Sequence, residues 1–248
     1  MNKLKIVIYG SKGRMGQALV SATKENPSLD LVGTIDVGDP LEPIAGCDAV
    51  IDFTHADSTL PVLKKCVELG KIIAIGTTGH SNDVRKAITE ASTKIPVIFS
   101  PNYSVGVNTL FWITKKAAEI LGPEYDAEVI EVHHRLKKDA PSGTARRLVE
   151  VLDEVYGLDY ERDTRHGRIG MPGERTKHEV GVHAVRGGDV VGDHTVLLAA
   201  PGDRLELIHR ASSRETFARG ALRAALWARE AMKNKPGLDD MQDVLGLR

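Results

Sequence analysis

The first hundred residues alternate short apolar runs with segments whose apolar residues recur at helical spacing. The run Leu4–Tyr9 is rich in β-branched residues, and Arg14–Glu25 then carries one apolar stripe. The pattern continues with strand-like runs at Leu29–Val37, Ala49–Phe53, Lys71–Ile75 and Pro96–Phe99 and helical segments at Ser58–Leu69 and Asn82–Thr93. Because these strands are apolar on both faces and helices separate them, the pattern predicts a doubly wound parallel sheet covered on both sides.

The pattern changes near Ser104, where we place a domain boundary. Helices are predicted at Asn108–Leu121 and Gly143–Tyr156, on either side of a strand at Ala127–His134. The long polar stretch Asp159–Lys177 is predicted to be a loop, and loops of this length are usually functional.

Three strand-like runs and a last helix complete the second half. The connections between the runs are short and contain Gly, Asp or Pro, which favours antiparallel pairing. The runs are Glu179–Val185, Thr195–Ala199 and Leu205–Arg210. The helix Glu215–Met232 has an apolar stripe, and we expect it to pack back on the first domain.

Composition and charge exclude several classes of protein. Lys and Arg total 33 against 34 Asp and Glu, a formal net charge of −1 that argues against a dedicated nucleic-acid binder. The two cysteines do not form a CxxC motif and are too few for a disulfide framework. Neither a signal peptide nor an apolar run of about 20 residues is visible, so we expect a cytoplasmic protein without a membrane segment.

A glycine-rich turn separates the first strand from the first helix. Its sequence is Gly10-Ser11-Lys12-Gly13-Arg14-Met15-Gly16. Glycines allow a tight turn, close approach of a pyrophosphate and close packing of the helix on the sheet. Asp36 lies 20 residues past Gly16 at the end of the second strand, where it can bind ribose hydroxyls. The turn therefore predicts a dinucleotide site, and an ordinary glycine-rich turn beside a surface Asp is the alternative.

The same segment favours NADH over NADPH. The Asp36 carboxylate would repel a ribose 2′-phosphate, and Val37 offers no cation to bind one. Lys12 and Arg14 supply positive charge nearby, or are simply solvated surface cations. We expect NADH to be preferred and NADPH to be tolerated.

Two further turns follow strands of the same predicted sheet. They are Gly76-Thr77-Thr78-Gly79 and Ser100-Pro101-Asn102-Tyr103-Ser104. Ligands of open parallel sheets bind at the carboxyl ends of strands, so we expect both turns to border the nicotinamide. Taken singly, each is equally consistent with ordinary turn chemistry.

A cationic cluster in the second half carries the most specific chemistry. It runs Glu131-Val132-His133-His134-Arg135-Leu136-Lys137, and Pro141-Ser142-Gly143-Thr144 follows at a helix start. Such a cluster suits a substrate with carboxylates, one of which the helix N–H groups could bind. In an extended chain His133, Arg135 and Lys137 would share a face. His133 is suited to donate a proton near neutral pH, with Lys137 as a second donor. A solvated strand end is the alternative.

The sequence does not predict a metal site, and it leaves three functions to compare with reduction of a carboxylate substrate by a nicotinamide cofactor. The nine histidines form neither an HExxH motif nor a zinc-spaced Cys/His pair. Another NAD-dependent dehydrogenase, acting on an amino acid such as aspartate, would fit the same pattern. A nicotinamide-sensing regulator would need a DNA-reading segment, and none is visible. A protein that binds a nicotinamide cofactor without turnover would not need the intact cationic cluster.

Taken together, these motifs resemble the 4-hydroxy-tetrahydrodipicolinate reductase (dihydrodipicolinate reductase) family of lysine biosynthesis. The resemblance runs the whole chain and includes Gly187-Gly-Asp-Val-Val-Gly-Asp-His194. It implies an α/β protein with an N-terminal Rossmann-like doubly wound domain and a C-terminal α+β domain with a mixed or antiparallel sheet. Residues 1–104 with 214–248 would bind the dinucleotide, and 105–213 would bind substrate and mediate a homotetramer.

The resemblance also implies roles for individual residues. His133 and Lys137 match the proton donors, and His134, Gly143 and Thr144 match substrate-binding positions. The nicotinamide cofactor would be bound by Gly10, Ser11, Lys12, Gly13, Arg14, Met15, Asp36, Gly76, Thr77, Thr78, Ser100, Pro101, Asn102 and Tyr103. Val37 stands where some members have Arg and Leu136 where some have a third His, changes expected to affect NADPH binding and the charge of the substrate pocket. The reaction implied is NAD(P)H-dependent reduction of 4-hydroxy-tetrahydrodipicolinate to tetrahydrodipicolinate, on the diaminopimelate route to lysine.

Overall fold

The structure, a computed structural model, describes residues 2–233 and 235–247. Its internal contacts divide the chain into two compact units, Met1–Val105 with Arg214–Arg248 and Gly106–Ser213. Within the described residues, no helix is both long and apolar enough to cross a bilayer. The functional roles predicted for the two units stay predictions.

Strands and helices alternate through the first unit and mix less regularly in the second. The strands are β1 (Leu4–Tyr9), β2 (Leu29–Ile35), β3 (Ala49–Asp52), β4 (Ile72–Ile75), β5 (Pro96–Phe99), β6 (Asp126–His133), β7 (Thr164–His166), β8 (Val180–Arg186), β9 (Gly192–Ala200), β10 (Asp203–Ala211) and β11 (Gly237–Asp239). The helices are α1 (Arg14–Glu25), α2 (Thr59–Leu69), α3 (Asn82–Ser92), α4 (Val105–Leu121), α5 (Gly143–Tyr156), α6 (Tyr160–Asp163), α7 (Glu215–Glu230) and α8 (Met241–Leu245), with 3-10 turns at Glu42–Gly46 and Ala56–Ser58.

The first unit contains the predicted doubly wound parallel sheet. Its strand order is β11-β5-β4-β3-β1-β2, and each neighbouring pair is parallel. The chain leaves β1 toward one edge to form β2 and returns to the other side of β1 to form β3. The order therefore reverses between β1 and β3, and ligands of such sheets bind at the carboxyl ends of the strands beside this switch point.

Helices cover both faces of this sheet, as the apolar pattern predicts. Leu4, Ile6 and Ile8 pack in one cluster with α1, α7 and α8, whereas Val7 and Tyr9 pack in a second cluster with α2 and α3. This alternation has the period of two that a strand imposes on its side chains. Both sets are buried, and Lys5, near the start of β1, is exposed.

The end of the chain returns to the first unit. Helix α7 packs its alanine-rich face into the cluster that also holds Leu19 and Ala22 of α1, as expected for this helix. The helix ends at Glu230, two residues before the predicted end. The sequence pattern missed β11 and α8, because a strand of three residues and a helix of five are too short to show periodicity.

The second unit is built on a mixed sheet with the order β10-β9-β6-β8-β7. The prediction of three consecutive antiparallel strands is wrong for the first pair. Strand β6 lies between β8 and β9, parallel to β8 and antiparallel to β9, and only β9 and β10 form a hairpin. A short connection suggests that two consecutive strands pair with each other. A strand from earlier in the sequence can still lie between them in the sheet, as β6 does here.

Part of the predicted long loop is structured. Helix α6 and strand β7 occupy the start of Asp159–Lys177, and β7 pairs in parallel with β8. Farther along, the Arg168 guanidinium donates to both oxygens of Glu128 at 3.0 and 2.7 Å. Arg175 also donates to Glu128, at 3.0 Å, so two ion pairs hold this polar segment against β6.

One face of the second sheet packs on helices and the other does not. Val129 of β6 and Val196 of β9 lie in a core with Leu148 and Val149 of α5. Residues of the opposite face stay accessible, with Val185 47% and Ile208 46% exposed.

A buried carboxyl group makes the stability of the second unit pH-dependent. Asp153 on α5 is 5% exposed, and neither carboxylate oxygen has a hydrogen-bond partner in the described part of the chain. Burial, followed by the charges of Asp163, Asp159 and Glu150, raises the pKa of Asp153 to about 6. The folded protein therefore binds this proton more tightly than the unfolded chain does.

We expect the free energy of unfolding to fall as the pH rises from about 4 through 6, where the folded protein loses this proton. The loss is at most about 3 kcal/mol, from about 1.4 kcal/mol per pKa unit. Asp153→Asn should raise the melting temperature at pH 8 by several degrees and leave it nearly unchanged at pH 4. Scanning calorimetry at both pH values measures this difference, and equal melting temperatures at pH 8 would contradict the interpretation.

Candidate active site

The glycine turn after β1 is tight because two of its glycines leave no room for a side chain. Gly10 has φ of 91° and donates its N–H to Ile35 O at 2.8 Å. A Cβ on Gly10 would lie 2.4 Å from Phe53 O, and one on Gly16 would lie 2.0 Å from Gly10 O. Helix α1 therefore begins directly against the turn, with Gly13 as its N-cap residue.

Asp36 holds this turn in place. It follows β2 directly, and its carboxylate accepts hydrogen bonds from Ser11 Oγ at 2.7 Å and from Lys12 N at 3.0 Å. Burial alone would raise the pKa of Asp36, but the Ser11 and Lys12 hydrogen bonds outweigh it and lower this pKa. Lys12 Nζ lies 3.8 Å from the same carboxylate, so part of its charge is neutralised within the turn.

Two arginines at the turn fit an anionic ligand. Arg14 begins α1, and Arg214 is the N-cap residue of α7. Burial and the charge of Arg14 lower the pKa of Arg214, so the two guanidinium groups repel each other. Neither forms an ion pair with a carboxylate among residues 2–233 and 235–247. Two adjacent cations without an acidic partner, beside a glycine turn at a helix start, fit the pyrophosphate of a dinucleotide.

We expect Arg214→Ala to raise the dissociation constant for NADH about tenfold, because a charge-assisted hydrogen bond contributes about 1.5–3 kcal/mol. The effect on kcat should be small. Arg223→Ala is the matched control, because Arg223 is exposed on the same helix. Fluorescence titration with NADH measures both variants, and equal affinities would show that Arg214 does not contact the nucleotide.

The turns after β4 and β5 use several of their hydroxyl groups for internal hydrogen bonds. Thr77 is 4% exposed, and its hydroxyl donates to Asp52 Oδ1 at 2.9 Å, whereas Thr78 is exposed. Tyr103 is 1% exposed, and its hydroxyl donates to main-chain oxygens of Ile75 and Ile98. A ligand at these turns would therefore contact main-chain atoms of Thr77 and Tyr103 rather than their hydroxyl groups. Ser100 is also buried and donates its hydroxyl to Asn102 O at 2.9 Å.

In the second unit, His133 ends β6 with its ring fixed by a buried carboxylate. Its Nδ1 contacts Glu131 Oε2, and the side chains of both residues point to the same face because they lie two positions apart. A carboxylate only accepts hydrogen bonds, so Nδ1 carries a proton. The other ring nitrogen, Nε2, can then exchange a proton with a ligand. A Cβ on Gly192 would lie 3.0 Å from Nε2, so glycine keeps that side of the ring open.

Glu131 is the centre of this cluster and is fully buried. Arg186 of β8 donates to its two oxygens at 2.7 and 2.8 Å, and Ser142 N donates to Oε1 at 3.1 Å. Burial would raise the pKa of Glu131, but the hydrogen bonds from His133 and Arg186 lower it to about 2. Glu131 is therefore ionised at physiological pH, and it joins β6, β8 and the start of α5.

A second buried imidazole lies against the ring of His133. The His194 ring meets it edge to face with centroids 5.2 Å apart, and His194 Nε2 shares a hydrogen bond with Ser142 Oγ at 3.1 Å. Burial, followed by the charge of His133, lowers the pKa of His194 to about 3. His194 is therefore neutral at physiological pH and supports the N-cap residue of α5 rather than donating a proton.

The rest of the cationic cluster lies beyond the end of the strand. Because β6 ends at His133, the predicted sharing of one face by His133, Arg135 and Lys137 is wrong. Lys137 folds back within its own loop, where Nζ lies 2.9 Å from Asp139 Oδ1. His134 is partly buried.

The residues predicted to bind a carboxylate lie in the first turn of helix α5. Its N-cap residue Ser142 accepts a hydrogen bond from Ala145 N at 3.1 Å, and Gly143 and Thr144 are the first two helical residues. Both are accessible, Gly143 fully and Thr144 in part. The first turn of a helix directs main-chain N–H groups outward along the helix axis, which makes it suitable for an anion.

Sequence reasoning missed several residues of the two clusters. The sequence motif contains Glu131 but assigns it no role, although a glutamate two positions before a histidine on a buried strand is a usable signal. Four other residues come from segments that no local pattern connects to the predicted ones. Arg186 bonds Glu131, and His194 lies against His133. Asp52 bonds Thr77, and Arg214 lies near Arg14.

The fold and the glycine turn define the first unit as a Rossmann-type dinucleotide-binding fold. The family model described as the dihydrodipicolinate reductase N-terminus matches residues 4–103, and the one described as the C-terminus matches residues 106–245. The chain belongs to the dihydrodipicolinate reductase family.

Relatives and solved structures agree with this family. A protein of Akkermansia muciniphila named 4-hydroxy-tetrahydrodipicolinate reductase is 51% identical over 245 residues, covering 98% of each chain. One of Hahella chejuensis with the same name is 46% identical, covering 98% of this chain and 99% of its own. The dipicolinate-bound dihydrodipicolinate reductase from Paenisporosarcina sp. TG-14 has a TM-score of 0.77 at 22% identity, covering 97% of this chain and 98% of its own. GenD2 from gentamicin A biosynthesis, in complex with NAD, has a TM-score of 0.65 at 11% identity, covering 100% of this chain and 91% of its own. These two structures share the fold.

Proposed function

We propose that this protein reduces 4-hydroxy-tetrahydrodipicolinate to tetrahydrodipicolinate with a nicotinamide cofactor, on the diaminopimelate route to lysine. The observation that carries the proposal is the buried Glu131–His133 pair, which directs one imidazole nitrogen toward an open position beside Gly192. Family membership supplies the substrate, and the relatives named above carry this activity in their names.

The first unit would hold the cofactor. Its turn Gly10–Met15 and Asp36 would bind the adenosine and pyrophosphate portion, with Arg14 and Arg214 opposite the phosphates. The turns Gly76–Thr78 and Ser100–Tyr103 would border the nicotinamide at the carboxyl ends of β4 and β5. The bound nicotinamide supplies the hydride for the reduction.

The second unit would hold the substrate and supply the proton. His133 would donate a proton from Nε2, because Glu131 keeps Nδ1 protonated and fixes the ring. Lys137 would act as a second proton donor. His134, Gly143 and Thr144 would bind the substrate carboxylates, the last two through N–H groups at the start of α5.

A spectrophotometric assay tests the activity. Substrate is generated in situ by a coupled reaction, and the loss of NADH absorbance is followed with and without this protein. We expect NADH to be oxidised only when both the substrate and this protein are present. Oxidation with aspartate in place of this substrate would instead favour an amino-acid dehydrogenase.

We propose that NADH is preferred and that NADPH is tolerated. The Asp36 carboxylate would repel a 2′-phosphate, and the next side chain, Val37, is 56% exposed but uncharged. Val37→Arg should raise kcat/KM for NADPH about tenfold, through a charge-assisted hydrogen bond to the phosphate, with little change for NADH. Steady-state kinetics with both cofactors decide the point, and a wild-type preference for NADPH would contradict it.

We further propose a cytoplasmic homotetramer assembled through the second unit. The accessible apolar face that includes Val185 and Ile208 supports an interface there. The free, buried thiols of Cys47 and Cys66 suit a reducing compartment. Sedimentation velocity measures the assembly, and a monomer at micromolar concentration would contradict it.

A further inference from the structure

A buried carboxylate ends the strand beside the switch point of the first sheet. Asp52 is the last residue of β3, pairs in register with Tyr9 of β1 and Ile75 of β4, and is fully buried. Three threonine hydroxyls donate to it. Thr54 and Thr77 donate to Oδ1 at 2.6 and 2.9 Å, and Thr59 donates to Oδ2 at 2.7 Å.

The arrangement of donors indicates that this carboxyl group is ionised. Thr77 Oγ1 accepts the N–H of Thr54 at 2.8 Å, so its own hydrogen is directed at Asp52. Thr59 Oγ1 likewise lies 2.9 Å from His80 Nε2, which donates because the Thr59 hydrogen is already used. Burial raises the pKa of Asp52, and the hydrogen bonds that its oxygens accept from the three threonines oppose this rise and favour the ionised carboxylate.

No cation neutralises this charge among residues 2–233 and 235–247. The hydrogen-bond partners of Asp52 are neutral hydroxyls. The nearest titratable group in the network is His80, which is 6% exposed, and burial lowers its pKa and keeps it neutral. A buried, unpaired charge is costly, so a protein retains one where the charge has a use.

The position of Asp52 suggests that use. The two residues that follow it, Phe53 and Thr54, lie against the glycine turn, since a Cβ on Gly10 would approach Phe53 O to 2.4 Å and Thr54 Cγ2 to 2.7 Å. Thr77, on the turn after β4, is bonded to Asp52 directly. The carboxylate therefore lies beneath the ends of β1, β3 and β4, where the proposed function places the cofactor.

We propose that Asp52 sets the balance between the two redox forms of the bound cofactor. Giving up a hydride ion leaves the nicotinamide ring with one positive charge. The hydride and a proton pass to the substrate, whose 4-hydroxyl group leaves as water. A fixed negative charge in a region of low dielectric constant favours the charged, oxidised form over the neutral, reduced form. Asp52 would thereby assist hydride donation without touching the substrate. This inference rests on the proposed function.

The test compares binding of NAD⁺ and NADH by wild-type protein and Asp52→Asn. The amide keeps the shape of the side chain and removes the charge. We expect the dissociation constant for NAD⁺ to rise about tenfold and that for NADH to change less than about threefold. Titration of NADH fluorescence, with NAD⁺ as a competitor, measures both constants without turnover.

Thr59→Val is the matched control, because it removes one hydrogen bond to Asp52 and keeps the charge. A purely structural network would shift both dissociation constants by the same factor in both variants. Should Asp52→Asn not fold, Asp52→Ser removes the same charge and leaves space for a water molecule among the threonines. If the ratio of the dissociation constants for NAD⁺ and NADH is the same in Asp52→Asn or Asp52→Ser as in the wild type, the inference about Asp52 is wrong, and the proposed function is unaffected. Wild-type protein that binds neither nucleotide would overturn both the inference and the proposed function.

Discussion

His133→Gln is expected to keep its affinity for NADH and to lower kcat by about 10²–10⁴, the usual contribution of a general acid. Glutamine can still donate a hydrogen bond to Glu131, so the strand end and the Glu131–Arg186 pair should persist. The glutamine side chain does not release a proton at physiological pH, so water would have to protonate the substrate.

Steady-state kinetics and NADH titration on the same preparation separate chemistry from binding. His178→Gln is the matched control, because His178 is an exposed histidine of the 167–178 loop. It should turn over at the wild-type rate. Wild-type kcat in His133→Gln would remove this residue from the mechanism.

Glu131→Gln is expected to lower kcat about 10–100-fold and to destabilise the second unit by about 3–5 kcal/mol, because it breaks a buried ion pair with Arg186. The amide would no longer fix the proton on His133 Nδ1, so the ring could adopt a tautomer or orientation unsuited to donation. Activity should therefore fall even under conditions where the variant remains folded.

Glu128→Gln separates this positioning role from a purely structural one. Glu128 lies three residues earlier on the same strand, on the opposite face, and it also binds arginines and a histidine, His183. Hydrogen bonds from these partners lower the pKa of Glu128 to about 2 against the opposing effect of burial. We expect a comparable loss of stability, measured by urea unfolding, with kcat unchanged within about threefold. Equal losses of kcat in the two variants would mean that Glu131 acts only through stability.

The first unit could be predicted largely from local pattern. Strands such as β1 are buried on both faces and show it as a continuous apolar run, and the glycine turn and Asp36 lie in the same βαβ segment. The pattern failed where an element is short, as in β11, or where its partner is distant in sequence. The insertion of β6 between β8 and β9 depends on packing against α5, which no local signal records.

The candidate site shows the same division. The sequence identified His133 and the start of α5, because both belong to one compact motif. It did not identify the state of the second buried imidazole, His194, because the low pKa of that residue arises from burial and from the charge of His133. It also did not identify the internal hydrogen bonds made by the hydroxyls of Thr77 and Tyr103.

Transfer of an isotopic label shows whether the reduction uses hydride from the nicotinamide. NADH carrying deuterium at C4 in one or the other stereochemical position is supplied with substrate generated in situ, and the product is analysed by mass spectrometry. We expect one labelled form, and not the other, to yield tetrahydrodipicolinate heavier by one deuterium. A product that gains no deuterium from either form, although NADH is consumed, would contradict it.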